Sequence, residues 1–62
     1  MKIHKQTIEG RNFEHWYDRR TRCWWAAEFD NDGNQIGPAE HSYTREGIES
    51  EIDYLFTHNT ED

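Results

Sequence analysis

The fold is decided by residues 24–37, which read WWAAEFDNDGNQIG. Successive side chains of a β-strand point to opposite faces, so the residues from Cys23 to Asp30 divide into two sets. One set is wholly apolar and consists of Cys23, Trp25, Ala27 and Phe29. The other set is mixed and consists of Trp24, Ala26, Glu28 and Asp30. This asymmetry is typical of an antiparallel strand that buries one face, and it predicts that the apolar set packs against the core.

The strand is expected to end at a turn formed by residues 31–34. Asp and Asn tolerate left-handed backbone angles and Gly favours them, so the sequence NDGN suits a β-hairpin turn. The same acidic run invites a calcium-loop interpretation, which requires Gly at the sixth position and Glu at the twelfth. Counted from Asp30, Gly33 is the fourth residue and His41 is the twelfth. The spacing therefore predicts a turn and no calcium site.

Three further strands are predicted around this one. Residues 2–9 lack a clean alternation and indicate a short or bulged edge strand, whose lysines would protect the edge from pairing. A hairpin turn around Gly10 leads into an alternating strand over residues 12–18, and a polar connection follows. Residues 35–43 form the last strand. Because Pro38 cannot donate a hydrogen bond to a sheet, this strand lies at an edge or carries a bulge.

A helical periodicity begins after Tyr43 and predicts a helix from about Thr44 to Thr57. Its apolar stripe consists of Ile48, Ile52, Leu55 and Phe56. Thr44 is a favourable N-cap, and Gly47 weakens the helix by about 1 kcal/mol relative to Ala. Residues 58–62 are expected to form a frayed tail.

Together these elements predict one small α+β domain spanning residues 1–62. Its three- or four-stranded antiparallel meander sheet packs on one C-terminal helix. The helical stripe needs an apolar partner, and one face of the sheet supplies it. The expected core consists of Trp25, Phe29, Ile48, Ile52 and Phe56. A chain of this size buries only about 60% of its unfolded surface, so the core is thin.

Charge is distributed unevenly along the chain, whose net charge is −6. Residues 1–27 carry six basic and three acidic side chains, whereas residues 28–62 carry one basic and ten acidic side chains. An acidic protein is attracted to basic surfaces and repelled by nucleic acid. The single cysteine excludes an internal disulfide, and no signal peptide or membrane-spanning run is visible. We therefore expect a protein of the cytoplasm, that of the host cell if it is phage-encoded, with no membrane partner.

The chain contains cysteine and histidine, which often act in catalysis, but they form no catalytic motif. Cys23 belongs to the apolar set of its strand, which predicts a buried and inert thiol. No short ligand spacing of a metal site relates the four histidines, which are His4, His15, His41 and His58. No nucleophile elbow, phosphate loop or zinc-protease motif occurs either. We expect a protein that is not an enzyme and that uses no cofactor or metal.

Adjacent tryptophans cannot both point inward from one strand. If Trp25 faces the helix, Trp24 faces outward, beside Trp16 of the neighbouring strand. Exposed aromatic residues are enriched at binding hot spots, so this pair is a candidate platform unless a second copy of the chain or the N-terminal residues cover it. The basic rim of the platform consists of Arg19, Arg20 and Arg22.

A second candidate surface is acidic. Its members are Glu46, Glu49 and Asp53 of the helix together with Glu28 and Asp30 of the sheet. These carboxylates could stand in for phosphates against a basic, nucleic-acid-binding partner, as in a protein that mimics DNA.

The pentapeptide WAAEF at residues 25–29 is followed by a turn, a strand ending in Tyr43 and a helix capped by Thr44. This arrangement resembles the three-stranded-sheet-plus-helix DNA-binding domain of plant ethylene-response factors and the arm-binding domain of phage-type integrases. The resemblance implies that the sheet face opposite the helix enters the major groove. On this chain that face would offer Trp16, Trp24, Glu28 and Asp30, with Arg20 and Arg22 at the turn. The strand over residues 35–43 departs from the family because it contains no Lys or Arg. Residues 32–44 also resemble the small YegP-like domains.

Two functions follow from these surfaces. The leading prediction is a small acidic, non-enzymatic binding protein that docks on a host macromolecule, with a protein as the first choice of partner. Compactness, acidity and a single domain are typical of inhibitors encoded by phages and mobile elements, and by class resemblance these include anti-restriction, anti-CRISPR and host-takeover proteins. The alternative is a small DNA-binding module of the integrase arm-binding type that uses the sheet face. A homodimer is compatible with both functions.

Overall fold

A computed structural model of the protein describes residues 1–59 and contains one sheet and one helix. The elements in chain order are β1 (Ile3–Ile8), β2 (Arg11–Asp18), β3 (Cys23–Phe29), β4 (Gln35–Ser42) and α1 (Gly47–His58). The strands are ordered β1-β2-β3-β4, and each pairs with the next in antiparallel orientation. The predicted α+β meander is therefore confirmed in its four-stranded form, with an N-terminal strand.

The turns that connect the strands form at the predicted residues. Glu9 and Gly10 connect β1 to β2 with φ values of 50° and 80°, and a two-residue hairpin of this twist requires left-handed angles at both positions. Gly33 connects β3 to β4 with a φ of 88°. The carboxylate of Asp30 holds this second turn, because its Oδ1 accepts the backbone N–H of Asp32 at 2.9 Å and that of Asn34 at 2.8 Å.

β4 is an edge strand and carries the predicted irregularity. Its pairing with β3 shifts register between Ala26 and Glu28, opposite the segment that contains Gly37 and Pro38. Gly37 has a φ of 72°, and a Cβ at this position would meet the Oδ1 of Asn59 at 2.6 Å. The bulge therefore places the backbone of β4 directly against the end of the helix.

The helix begins at Gly47, three residues later than predicted, and its N-cap is Glu46 instead of the predicted Thr44, although the Thr44 hydroxyl accepts a hydrogen bond from the Gly47 N–H at 3.0 Å. A Cβ at position 47 would overlap the Oγ of Ser42, so glycine permits the helix to start close to the end of β4. At the other end, His58 belongs to the helix and the Asn59 N–H bonds to the Leu55 carbonyl at 2.9 Å. The remainder of the predicted tail, residues 60–62, lies outside the described residues.

The helix packs on the face of the sheet opposite to the one that the strand alternation predicts. The buried core consists of Phe13, Ala26, Ile48, Ile52 and Leu55, with Ile8, Trp24 and Phe56 packed against it. The predicted core is therefore right for the helical residues. It is wrong for Trp25 and Phe29, because Ala26 lies under the helix and residues of odd number in β3 point to the other face.

An ion pair explains how the mixed face of β3 can be the buried one. Glu28 is 4% exposed, and its two carboxylate oxygens accept hydrogen bonds from the Nε and Nη2 of Arg11, each at 2.9 Å. Arg11 also donates to the Phe56 carbonyl at 3.0 Å, and Asn59 donates to Glu28 at 3.2 Å. The hydrogen bonds to the Glu28 carboxylate, those from Arg11 above all, hold the pKa of Glu28 below its ordinary value. A buried carboxylate is tolerated because its charge and its oxygens are satisfied.

Candidate binding surfaces

The face of the sheet that the helix leaves uncovered, here called the open face, carries a row of large side chains. Ile3, Trp16, Trp25 and His41 are successive cross-strand partners, one from each strand. The rings of Trp25 and His41 lie 5.2 Å apart, and Tyr43 continues the row at 5.5 Å from His41. The indole N–H of Trp25 donates to the hydroxyl of Thr21 at 2.9 Å, which fixes the orientation of this ring.

The open face is apolar at its centre and poor in charge. Ile3 is 45% exposed and Tyr43 is 79% exposed, while Trp16, Trp25 and Phe29 are half-buried. By strand parity, its ionised strand residues are Lys5, Glu14 and Asp18. A contiguous apolar patch with aromatic residues at its centre and charges around it is typical of a protein interface.

The predicted pair of outward tryptophans is wrong in one member. Trp16 lies on the open face as expected, but Trp24 lies on the helix side, where it packs against the core. Its neighbours there are Tyr17, whose ring meets it edge-on at 5.5 Å, and the guanidinium of Arg45, which lies 5.5 Å from the ring centroid. The tryptophan beside Trp16 on the open face is Trp25.

The predicted basic rim does not lie beside Trp16, and two of its arginines lie beside Trp24 instead. The loop over residues 19–22 places Arg19 and Arg20 at a groove of about 700 Å³ on the helix side of the sheet. Other residues lining this groove, here called the basic groove, include Lys2, His4, Tyr17, Asp18 and Trp24. Arg22 is exposed in the same loop, with a φ of 58°, and does not line the groove.

The predicted acidic surface loses its two sheet residues. Glu28 is buried in the ion pair with Arg11. The oxygens of Asp30 are engaged in the turn, and these hydrogen bonds, led by the one from the Asn34 backbone, hold its pKa below the ordinary value. The exposed acidic residues that persist are Glu49 and Asp53 of the helix and Glu46 at its N-cap.

Sequence reasoning missed a stacked pair of histidines on the helix side. The rings of His4 and His15 lie 4.7 Å apart with an interplanar angle of 12°. The Nδ1 of His15 is buried and has no hydrogen-bond partner among residues 1–59. Burial lowers the pKa of His15, and the nearby His4 and Arg45 lower it further. The sequence could have predicted this pair, because a two-residue turn at Glu9 and Gly10 fixes every cross-strand partner of β1 and β2.

Comparisons with protein-family models, curated proteins and solved structures gave no match to this chain. The resemblance to ethylene-response-factor, integrase and YegP-like domains thus stays a prediction. No helix in residues 1–59 has the length and apolar character needed to cross a membrane. Over the same range, no three His, Cys, Asp or Glu side chains are grouped to hold a metal ion. The fold and these surfaces define a small α+β domain with one apolar and one basic candidate site on opposite sides of its sheet.

Proposed function

We propose that this protein is a non-enzymatic binding module that docks on a protein partner through the open face. The observation that supports this most strongly is the cross-strand row of Ile3, Trp16, Trp25 and His41, which spans the whole sheet. A row of aromatic and aliphatic side chains on a rigid sheet provides contact area without the entropy cost of ordering a loop. Tryptophan is also among the residues that most often dominate binding energy.

The charge of the open face argues against duplex DNA as its ligand. DNA-binding surfaces place several cations against phosphates, whereas the ionised strand residues of this face are one lysine and two carboxylates. Arg11 is engaged with Glu28, and Arg19 and Arg20 lie on the other side of the sheet. The integrase-type alternative, which needs basic residues on the open face, is therefore the weaker proposal.

The exposed acidic residues of the helix favour a second docking surface for a basic partner. Glu46, Glu49 and Asp53 point away from the core and would attract a cationic protein at low salt. The narrower prediction of a phage-encoded inhibitor, including the anti-restriction, anti-CRISPR and host-takeover classes, rests on compactness and acidity.

A capture experiment from bacterial lysate with matched variants tests the proposal. Ile3→Glu places a charge in the open face, and Tyr54→Glu places the same charge on the outer helix, where the starting side chain is equally exposed, at 45%. We expect Ile3→Glu to lose the captured protein while Tyr54→Glu retains it. Equal capture by both variants, together with loss in Glu49→Lys/Asp53→Lys, would move the docking surface to the acidic helix. Capture that survives all three variants would refute both surfaces.

A further inference from the structure

The basic groove exists because the helix covers only part of the sheet. α1 packs mainly over β3 and β4, so the helix side of the β1–β2 hairpin stays accessible at its open end, where Tyr17 is 41% exposed, whereas Phe13 further along β2 is buried. At the open end of this hairpin, the loop over residues 19–22 and the start of the chain form the walls of the groove. Its volume of about 700 Å³ lies within the range of about 300–1,000 Å³ that is usual for small-molecule sites.

The ionised side chains of the groove are mostly cationic, in a protein whose net charge is −6. The acidic residue that lines the groove with Lys2, Arg19 and Arg20 is Asp18, whose strand parity directs its carboxylate towards the open face. The Asp18 oxygens are already engaged, because one accepts the Arg20 backbone N–H at 3.3 Å and the other accepts the Thr21 hydroxyl at 2.9 Å. Among residues 1–59, the ion pair whose charged atoms lie within 4.0 Å joins Arg11 to Glu28. The three cations of the groove are therefore available to bind an anion.

Aromatic side chains form the remaining wall. Tyr17 is 41% exposed and lines the groove together with Trp24. The two rings meet edge-on at 5.5 Å, and the guanidinium of Arg45 lies 5.5 Å from the Trp24 centroid. These contacts hold the aromatic wall in place before any ligand arrives, which lowers the entropy cost of binding.

From this combination of cations and fixed aromatic rings we infer that the basic groove binds a nucleotide. The phosphate contacts Arg19, Arg20 and Lys2, and the base packs on the wall formed by Tyr17 and Trp24. The ligand is either a free nucleotide or one nucleotide of a single strand. This site goes beyond the docking function proposed above, since it lies on the opposite side of the sheet.

Calorimetric titration of the full chain at low salt tests the inference with AMP, adenosine, inorganic pyrophosphate and a thymidine pentanucleotide as probes. We expect AMP to saturate one site with a Kd of about 0.1–1 mM. Adenosine and pyrophosphate should each bind at least about tenfold more weakly, because each lacks one half of the contacts. A pentanucleotide that binds more tightly than AMP, with a logarithmic salt slope of about −2 for three cations, would identify a single strand as the ligand. Equal binding of the two would identify a free nucleotide.

Charge reversals in one loop supply the matched control. Arg19→Glu and Arg20→Glu should each weaken AMP binding by about tenfold, whereas Arg22→Glu, in the same loop but outside the groove, should change it by less than about twofold. In wild-type protein, AMP should shift the indole NMR signal of Trp24 and leave that of Trp16 unchanged. The inference is overturned by absence of saturation at about 5 mM, by equal loss in Arg22→Glu, or by pyrophosphate binding as tightly as AMP. None of these outcomes bears on docking through the open face, which Ile3→Glu tests separately.

Discussion

Replacing Arg11 with Met should destabilise the domain severely, because it leaves the Glu28 carboxylate buried without a counter-charge. Methionine retains much of the packing that the guanidinium makes over Phe56, at 4.3 Å from the ring centroid. Breaking a buried ion pair from one side costs about 3–5 kcal/mol, and the 24% exposure of the Arg11 side chain favours the lower end of this range. A domain of this length is stable by about 3–9 kcal/mol in total, so a loss of about 3 kcal/mol would remove between about a third and all of its stability.

The pH dependence of stability distinguishes this reason from simple loss of packing. In the wild type, the pKa of Glu28 is lowered, so its stabilising contribution is present above the unfolded-state pKa of about 4.3 and is lost as pH falls through the folded value. In Arg11→Met the same carboxylate is desolvated and unpaired, its pKa rises, and lowering the pH through that raised pKa should relieve part of the destabilisation.

Urea denaturation at several pH values, with Arg11→Met, Glu28→Gln and the double variant, measures both effects. The double variant should be more stable than Arg11→Met alone, because it removes the orphaned charge. The reasoning is refuted if Arg11→Met costs less than about 0.5 kcal/mol, the range of ordinary surface substitutions, or if the double variant is no more stable than the single one.

Three other predictions test the packing and the titration of the helix side. Gly47→Ala should destabilise by about 1 kcal/mol in urea denaturation, because the added Cβ displaces the Ser42 hydroxyl from its hydrogen bonds with Thr44 and this loss exceeds the gain in helix propensity; a gain in stability would contradict the close approach. Trp24→Ala should lower the free energy of unfolding by about 2–3 kcal/mol, more than Trp25→Ala, since Trp24 packs against the buried core; the reverse order would contradict the assigned sheet face. Because the pKa of His15 is lowered in the folded protein, its contribution to stability is present above the unfolded-state pKa of about 6.5. That contribution is lost as pH falls through the folded-state pKa. His15→Gln should therefore flatten the thermal stability profile between about pH 7.5 and 5.5, and an unchanged profile would contradict this role.

The order of elements could be predicted from the sequence because local rules determine it. The turn at Gly33 and the helical stripe containing Ile52 each depend on a few neighbouring residues. The buried face of β3 could not be predicted in this way, because apolar character along one strand misses Arg11, which lies 17 residues before Glu28. Reading each strand alone treated Glu28 as a surface residue and assigned Trp25 to the core. The paired structure reverses both assignments.

The same limitation affected the candidate site. Arg19, Arg20 and Trp24 were predicted to lie together, and they do, but in a groove on the helix side. Their expected neighbour Trp16 lies on the open face, because the whole of β3 is turned over relative to the prediction. The residue types of the site could therefore be predicted from composition and from their proximity in the sequence. The face of the sheet that presents them could not, because it depends on a contact between residues that are distant in the sequence.

The side of β3 that carries Glu28 sets what each surface of the protein presents, and the ion pair with Arg11 makes the burial of that side tolerable. Adjacent residues of a strand point to opposite faces, so the side that buries Glu28 also sends Trp24 towards the basic groove and Trp25 to the open face. If β3 presented its apolar set to the helix, Trp25 would be covered and the cross-strand row with Trp16 would disappear. The pair also explains why an otherwise thin core accepts a charged residue, because the cost of desolvating Glu28 is offset by hydrogen bonds that tie β2, β3 and the end of the helix together. The ion pair, which the sequence patterns did not reveal, therefore accompanies an arrangement with an apolar docking face on one side of the sheet and a cationic groove on the other.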